Sequence, residues 1–197
     1  MFGLFKKKAE KAPALHASQL QPRIKHHAFA HALHEAGMTA DQVPPMQRFC
    51  GELLVTYAFD TPDQFVMATP DLLERVGVTL DDLPDVAMSN LVKAMQWPPK
   101  FTVKNGVNKL NLGGNHEAVL LIVSGAFDQI ESHLEGTPIA TAPHRDCLLI
   151  CQSGDTDAIA ELRRQTAEEF EQRQDNHRLS TQLMIRRDGF WKLYDEE

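Results

Sequence analysis

The chain has 197 residues, enough to bury a hydrophobic core without disulfide bonds or structural metals. Hydrophobic residues make up 43% of it and charged residues 24%, a balance that argues against a disordered, collagen-like or membrane protein. The formal net charge of −7 argues against nucleic acid as a partner, because phosphate contacts need clustered Lys and Arg.

The N-terminal stretch MFGLFKKKAEK is predicted to belong to a flexible basic segment, residues 1–18, that precedes a single α+β domain, residues 19–197. Its alternative role is a weak contact with anionic lipid. No run approaches the roughly 20 apolar residues of a membrane span, and no apolar stretch follows the basic residues as in a secretory signal. We therefore expect a cytoplasmic protein without stable membrane association.

The domain is predicted to begin with a helix, which is followed by a hairpin. Residues 22–36 are predicted to form a helix, with Pro22 as its first residue and Gly37 as its C-terminal stop. The β-prone stretches 53–60 and 64–68 are separated by a turn and are predicted to pair as a hairpin.

Two further helices follow this hairpin. One begins at Thr69 and Pro70 and stops at Gly77, and another runs from near Asp82 to Met95. Its stripe of Met88, Leu91 and Met95 fits a buried face better than a plastic binding groove.

The second half of the chain alternates strand and helix signals. Asn105-Gly106 and Asp188-Gly189 are typical of two-residue hairpin turns. The stretch EAVLLIV predicts a buried strand, and FDQIESHL predicts a helix. PIATAP and DCLLICQ predict strands that are broken near Pro143, and a long helix is predicted to begin near Asp155. The similarity of LLIVSGAFDQI to LLICQSGDTDAI suggests two strand-to-helix units in one sheet. Hairpins dominate, so the predicted class is α+β, a mainly antiparallel sheet covered by helices on one face.

Three cysteines, Cys50, Cys147 and Cys151, do not suit a disulfide framework. In CLLIC the last two lie on one face of a strand, where a buried apolar role is favoured over a redox or metal pair.

The motif HHAFAHALHEAG raises the question of a metal site. On a helix His27, His31 and His34 share one face, a spacing that can bring imidazoles to one zinc-like ion. Phe29 and Leu33 lie on the opposite face, which would pack against the sheet. We therefore expect the imidazoles to face solvent, and we predict no physiological metal and no cofactor.

A second candidate site combines two predicted strand ends, and its members are His116, Glu117, His144, Arg145 and Asp146. If the strands are neighbours, these groups can form an acid/base or phosphate-handling site. Charged residues at strand ends are also ordinary surface residues, and the sequence lacks the serine elbow, the phosphate-binding loop and the dinucleotide fingerprint.

Six stretches carry a family resemblance: LLVTYAFD, TPDLLERVGV, SNLVKAM, GNHEAVLLI, PHRDCLLICQS and LSTQLMIRRDGFWKLY. In this order they resemble the YtpQ-like family of uncharacterised bacterial proteins, over roughly residues 48–194. The resemblance implies an α+β domain in a bacterial cytoplasm, and it assigns no catalytic residue.

These observations favour a non-enzymatic protein-binding or regulatory module whose edge strands or helical face engages another protein. The alternative is a metal-dependent or acid/base hydrolase that uses the strand ends near His116 and His144.

Overall fold

Ten strands and five α-helices make up the part of the chain that this computed structural model describes, residues 14–175 and 177–195. Most of the predicted basic segment, with its alternative lipid contact, lies outside these residues. The strands are β1 Leu20–His26, β2 Met46–Arg48, β3 Leu53–Asp60, β4 Phe65–Met67, β5 Lys100–Lys104, β6 Val107–Asn111, β7 Pro138–His144, β8 Cys147–Gln152, β9 Met184–Arg187 and β10 Phe190–Leu193. The helices are α1 Ala28–Glu35, α2 Pro70–Arg75, α3 Leu83–Ala94, α4 Ser124–Glu131 and α5 Thr156–Gln172, with 3₁₀ helices Ala17–Gln19 and Ala118–Ile122.

The strands divide between two antiparallel sheets. The first has the order β1-β3-β2, and β4 pairs with the far end of β3. The second has the order β10-β9-β7-β8-β6-β5, so that β5 and β10 are its edges. The predicted α+β class with antiparallel pairing is confirmed, although its strands form two sheets instead of one.

The predicted hairpins are confirmed. Strands β3 and β4 pair as expected, and β5–β6 and β9–β10 each turn through two residues with positive φ. Asn105 and Gly106 have φ of 49° and 77°, and Asp188 and Gly189 have φ of 54° and 79°. These values fit the turn type whose twist matches that of the flanking strands.

The core lies between the two sheets and under α5. One cluster of buried side chains joins Leu20 and Val55 of the first sheet to Leu148 and Ile150 of the second. A second cluster packs Ile159 and its neighbours on α5 against the opposite face of the second sheet. Cys147 and Cys151 belong to this second cluster and are fully buried, which confirms their predicted place in the core.

The predicted helix over residues 22–36 is wrong in its first part. Residues Leu20–His26 form a strand that pairs with β3, and the helix covers only Ala28–Glu35. Because β1 is an edge strand, Pro22 is tolerated there despite its missing N–H group. The apolar pattern did not distinguish a strand followed by a short helix from one longer helix.

The predicted strand over residues 117–123 is also wrong. Its apolar stretch forms the 3₁₀ helix Ala118–Ile122, whose first four residues are buried. The two proposed strand-to-helix units therefore differ, because only β8 followed by α5 fits that description. The break near Pro143 is a shift in strand register, since β7 continues to His144. An apolar run of this length specifies burial but not backbone conformation.

Candidate functional site

Helix α1, which contains His31 and His34 and follows His27, lies at the surface. None of the residues in α1 is buried, and His27, His31 and His34 are exposed. The rings of His27 and His31 meet edge to face with centroids 5.8 Å apart. Phe29 and Leu33 are half-buried, so the docking of the opposite face is looser than the sequence predicts.

The two predicted strand ends lie side by side. The backbone N–H of Ala118 donates to the carbonyl oxygen of Arg145 at 3.1 Å, which brings residues 116–118 next to the β7–β8 turn. The imidazole of His116 turns toward β1, where its Nε2 lies 3.2 Å from Oε1 of Gln21. Burial, and then the charge of Arg23, lower the pKa of His116. The segments therefore meet, and the imidazole of His116 hydrogen-bonds to β1.

The carboxylate of Glu117 is bound by backbone N–H groups. Its side chain is buried, and Oε1 accepts hydrogen bonds from the backbone N–H groups of Leu112 and Gly114, both at 2.8 Å. Oε2 accepts a third from the N–H of His116 at 3.0 Å. Three donors on one carboxylate hold the loop that follows β6 in place.

His144 belongs to a different group of side chains. The potential ligand atoms of His144, Cys147 and Glu169 all lie within 4.8 Å of one another, the one such group of three found among the described residues. Nε2 of His144 lies 3.3 Å from Oε2 of Glu169, while Nδ1 accepts the N–H of Asp146 at 3.3 Å. A neutral His144 therefore carries its proton on Nε2.

Burial, together with the neighbouring charges, keeps the ligand atoms of this group protonated or paired. Burial, and then the neighbouring Glu169, raise the pKa of Cys147 to about 12. Burial lowers the pKa of His144 more than its hydrogen bond to Glu169 raises it. The ammonium of Lys109 contacts Oε1 of Glu169 and forms an ion pair with it. A metal at this position has to displace protons and compete with Lys109.

A basic pocket lies between β1 and the β7–β8 turn, and sequence reasoning did not predict it. Arg23 is 7% exposed, and its Nε, Nη1 and Nη2 atoms are shielded from solvent without a hydrogen-bond partner. Its guanidinium carbon lies 3.9 Å from the ring centroid of Phe65, and its Nη2 lies 3.6 Å from Oδ2 of Asp60. Burial is the main cause that lowers the pKa of Arg23 to about 10.

Two more cations line the same pocket. Lys25 follows Arg23 on the same face of β1, and the guanidinium of Arg145 lies 5.4 Å from the Phe65 ring centroid. Burial, and then the charges of Arg145 and Arg23, lower the pKa of Lys25. Asn115 and His177 complete the polar lining, and the enclosed volume is about 40 Å³. The pocket therefore concentrates positive charge in a protein of negative net charge.

The alternation in QPRIK contains the signal that was missed. In a strand, Gln21, Arg23 and Lys25 share one face, while the apolar Leu20 and Ile24 share the other. The helix prediction over residues 22–36 hid this pattern. Of the five predicted strand-end residues, only Arg145 lines the pocket.

An apolar groove lies on the face of the second sheet and extends from the edge strand β5 across β6 to β8. Its volume is about 370 Å³, and it runs between the segment that leads into β5 and the end of α4. The residues that line it are Trp97, Pro98, Pro99, Phe101, Asn108, Gln129, Ile130, His133, Leu134 and Ile150. Trp97 and Phe101 are 40% and 45% exposed, and Val103 further along β5 is 65% exposed. Such a large open apolar surface is typical of a binding site.

Two general findings complete the description. No helix in the described part of the chain is long and apolar enough to cross a membrane. Models of known protein families, characterised proteins and solved structures gave no match to this chain, and the resemblance to the YtpQ-like family stays a prediction.

Proposed function

We propose that this protein is a non-enzymatic binding module that holds an extended, apolar segment of another protein in the groove beside β5. The observation that carries the proposal is the continuity of this groove with an open sheet edge. Phe101 lines the groove, and it belongs to a strand whose five residues are all exposed. An extended peptide can pair its backbone with such an edge while its apolar side chains enter the groove.

The groove has the size and chemistry that this mode of binding needs. Its volume of about 370 Å³ lies within the range of roughly 300–1,000 Å³ typical of ligand pockets. Phe101 and Val103 alternate with polar residues on β5, so both project to the groove side of the sheet. Aromatic side chains such as Trp97 supply contact area at low entropic cost.

The charges on β5 favour a partner with acidic residues over a second copy of the chain. Lys100 and Lys104 stand at the two ends of this strand. Lysines on a sheet edge oppose the pairing of two identical edges because like charges meet. The same lysines attract a segment whose apolar core is flanked by Asp or Glu.

A peptide selection tests this proposal. A random peptide library is selected on the wild-type chain and counter-selected on the Phe101→Ser variant. We expect the enriched peptides to be apolar in the middle and acidic at the flanks, and to bind the Phe101→Ser variant at least about tenfold more weakly, which is 1.4 kcal/mol.

The matched control is Phe190→Ser, which removes the same side chain from the other edge of the sheet, where Phe190 is 72% exposed. This variant should bind the selected peptides as the wild type does. Peptides that bind the wild type and the Phe101→Ser variant equally would contradict the proposal.

A second candidate function is a metal-dependent hydrolase at His144, which is supported by the approach of His144, Cys147 and Glu169. An imidazole, a thiolate and a carboxylate are ligands that zinc accepts. To test this function, the untagged protein is loaded with zinc and then dialysed against a chelator, and the zinc that remains bound is measured. Retention of one equivalent that is lost in Cys147→Ala but kept in Cys151→Ala supports this function, and no retained zinc rules it out.

A further inference from the structure

We propose that the basic pocket formed by Arg23, Lys25 and Arg145 binds a single phosphate group, as the free ion or as the monoester of a small molecule. The inference is independent of the proposed function, because the basic pocket and the apolar groove share none of their lining residues. Its failure therefore leaves the peptide-binding proposal unaffected.

Arg23 is a buried arginine without a hydrogen-bond partner, and in this respect it differs from a second buried arginine, Arg186. Arg186 is 4% exposed and donates to two carboxylates, with its Nη2 2.6 Å from Oδ1 of Asp128 and its Nη1 in contact with Glu131. Arg23 is 7% exposed and has no hydrogen-bond acceptor for any of its three nitrogens. Because an arginine stays protonated, the N–H groups of Arg23 lack the acceptors that a buried charged donor requires, and an oxyanion in the pocket would supply them.

Like charges accumulate around the basic pocket. The guanidinium groups of Arg23 and Arg145 both lie against the ring of Phe65, and Lys25 lies on the same wall as Arg23. All three of the formally charged side chains that line the pocket are basic. Bringing three cations together in a partly dry site costs free energy, which a bound anion recovers.

The nearby carboxylates only partly offset this charge. Asp60 lies beside Arg23, with its Oδ2 3.6 Å from Nη2, and it is about one-third exposed. Asp146 accepts from Nε of Arg145 at 2.7 Å and also from Nη2 of Arg173 at 2.6 Å. Arg173 also pairs with Asp175, whose Oδ2 lies 3.2 Å from its Nη1, so the positive charge that remains at the pocket is that of Lys25, which forms no ion pair with the described residues. This excess favours a dianionic phosphate over a singly charged carboxylate.

The basic pocket is small. The enclosed volume is about 40 Å³. One water molecule needs at least roughly 10–15 Å³ measured in this way, so the pocket holds a few water-sized groups. This matches the oxygens of one phosphate group and excludes the base and sugar of a nucleotide from the enclosed part. The side chain of Arg145 is 28% exposed, compared with 9% for that of Arg23.

Calorimetric titration of the full-length protein with inorganic phosphate tests the inference. We expect saturable binding of one equivalent, and we expect Lys25→Gln to weaken it by about tenfold, which is 1.4 kcal/mol. The matched control is Lys93→Gln, which removes the same charge from an exposed position on α3. That control should change the dissociation constant by less than about twofold, or 0.4 kcal/mol.

Two further ligands identify the source of the phosphate. Glycerol phosphate that binds more tightly than inorganic phosphate points to a monoester of a small molecule, whereas preference for inorganic phosphate points to the free ion. Acetate that binds as well as phosphate would overturn the inference. So would the absence of saturation at about 10 mM phosphate, which corresponds to a binding free energy of only about 2.7 kcal/mol. Equal losses of affinity in Lys25→Gln and Lys93→Gln would also overturn the inference.

Discussion

The Nη2 atom of Arg23 lies 3.6 Å from Oδ2 of Asp60, close enough for an ion pair but too far for a hydrogen bond. The guanidinium is therefore buried, charged and incompletely compensated. A charge in this state contributes little to folding, because its desolvation opposes its attraction to the carboxylate. The position is costly for stability and well suited to the capture of an anion.

Replacing Arg23 by Met should accordingly be tolerated. The substitution keeps an apolar stem against Phe65 and removes the buried charge, and Asp60 can be hydrated because it is partly exposed. In phosphate-free buffer we expect the free energy of unfolding to rise by about 1 kcal/mol, measured by urea denaturation. Added phosphate should raise the melting temperature of the wild type but leave that of Arg23→Met unchanged.

Arg186→Met is the control for this experiment. Here two charge-assisted hydrogen bonds to Asp128 and Glu131 are lost, so we expect the free energy of unfolding to fall by about 2 kcal/mol. A comparable fall in Arg23→Met would show that the present contacts of Arg23 already stabilise the fold.

The sequence predicted local structure well where turn chemistry decides it. Asn105-Gly106 and Asp188-Gly189 fix their hairpins through two adjacent residues that tolerate positive φ, and Asp155 marks the start of α5 by accepting the N–H of Ala158. Burial of Cys147 and Cys151 followed from the pattern of the strand alone.

The sites depend on long-range pairing, which explains why most of their members were missed. Arg23 reaches its pocket because β1 pairs with β3, where Arg23 is opposite Thr56. Glu169 meets His144 only because α5 packs across β7 and β8, a contact without a local sequence signal. The sequence raised the proximity of residues 116–118 to Arg145 only on the condition that two strands are neighbours, and it did not predict the side-chain partners.

The buried carboxylate of Glu117 is expected to be a major stabilising group. Glu117→Ala leaves the N–H groups of Leu112, Gly114 and His116 without their acceptor, and we expect a loss of about 3 kcal/mol in the free energy of unfolding. Glu117→Gln retains one acceptor oxygen and should lose less. Urea denaturation measures both.

Glu74→Gln, at an exposed position of α2, is the matched control for Glu117→Gln and should change the free energy of unfolding by less than about 0.5 kcal/mol. Equal stability of Glu117→Ala and the wild type would show that water replaces the carboxylate without cost.

The lowered pKa of His116 predicts acid destabilisation. Above pH 6.5, the usual pKa, the imidazole is neutral in both states, whereas below it the unfolded chain binds a proton that the folded protein resists. Stability should therefore fall as the pH drops from 6.5 toward the lower folded pKa. One pH unit below the usual value, the effect is at most about 1.4 kcal/mol.

The His116→Gln variant should lose this part of the pH dependence while the wild type keeps it. His144 contributes in the same direction, because its pKa is also lowered, and it remains in the variant. His34→Gln, at an exposed position, serves as the control and should follow the wild-type profile. Urea denaturation at pH values on both sides of 6.5 measures the free energy of unfolding of each variant. Identical profiles for the His116→Gln and His34→Gln variants would contradict the assignment.

Gly106 and Gly113 form a matched pair that tests the docking of the β5–β6 hairpin on α5. Both have positive φ, 77° and 95°, so Ala at either position carries backbone strain of about 1–2 kcal/mol. A Cβ on Gly106 would lie 2.8 Å from the Cβ of Ala158, whereas a Cβ on Gly113 meets no atom within 4 Å. Gly106→Ala should therefore lose about 1–2 kcal/mol more in free energy of unfolding than Gly113→Ala.

A second substitution separates crowding from strain. Ala158→Gly removes the methyl group that a side chain at position 106 would meet, at an ordinary cost of about 1 kcal/mol for glycine in a helix. Combined with Gly106→Ala, it should recover the extra loss, so that the two changes are less than additive in denaturation experiments. Additive losses would mean that the hairpin does not rest on α5. Because β5 is the edge strand beside the apolar groove, a shifted hairpin should also weaken the binding of selected peptides.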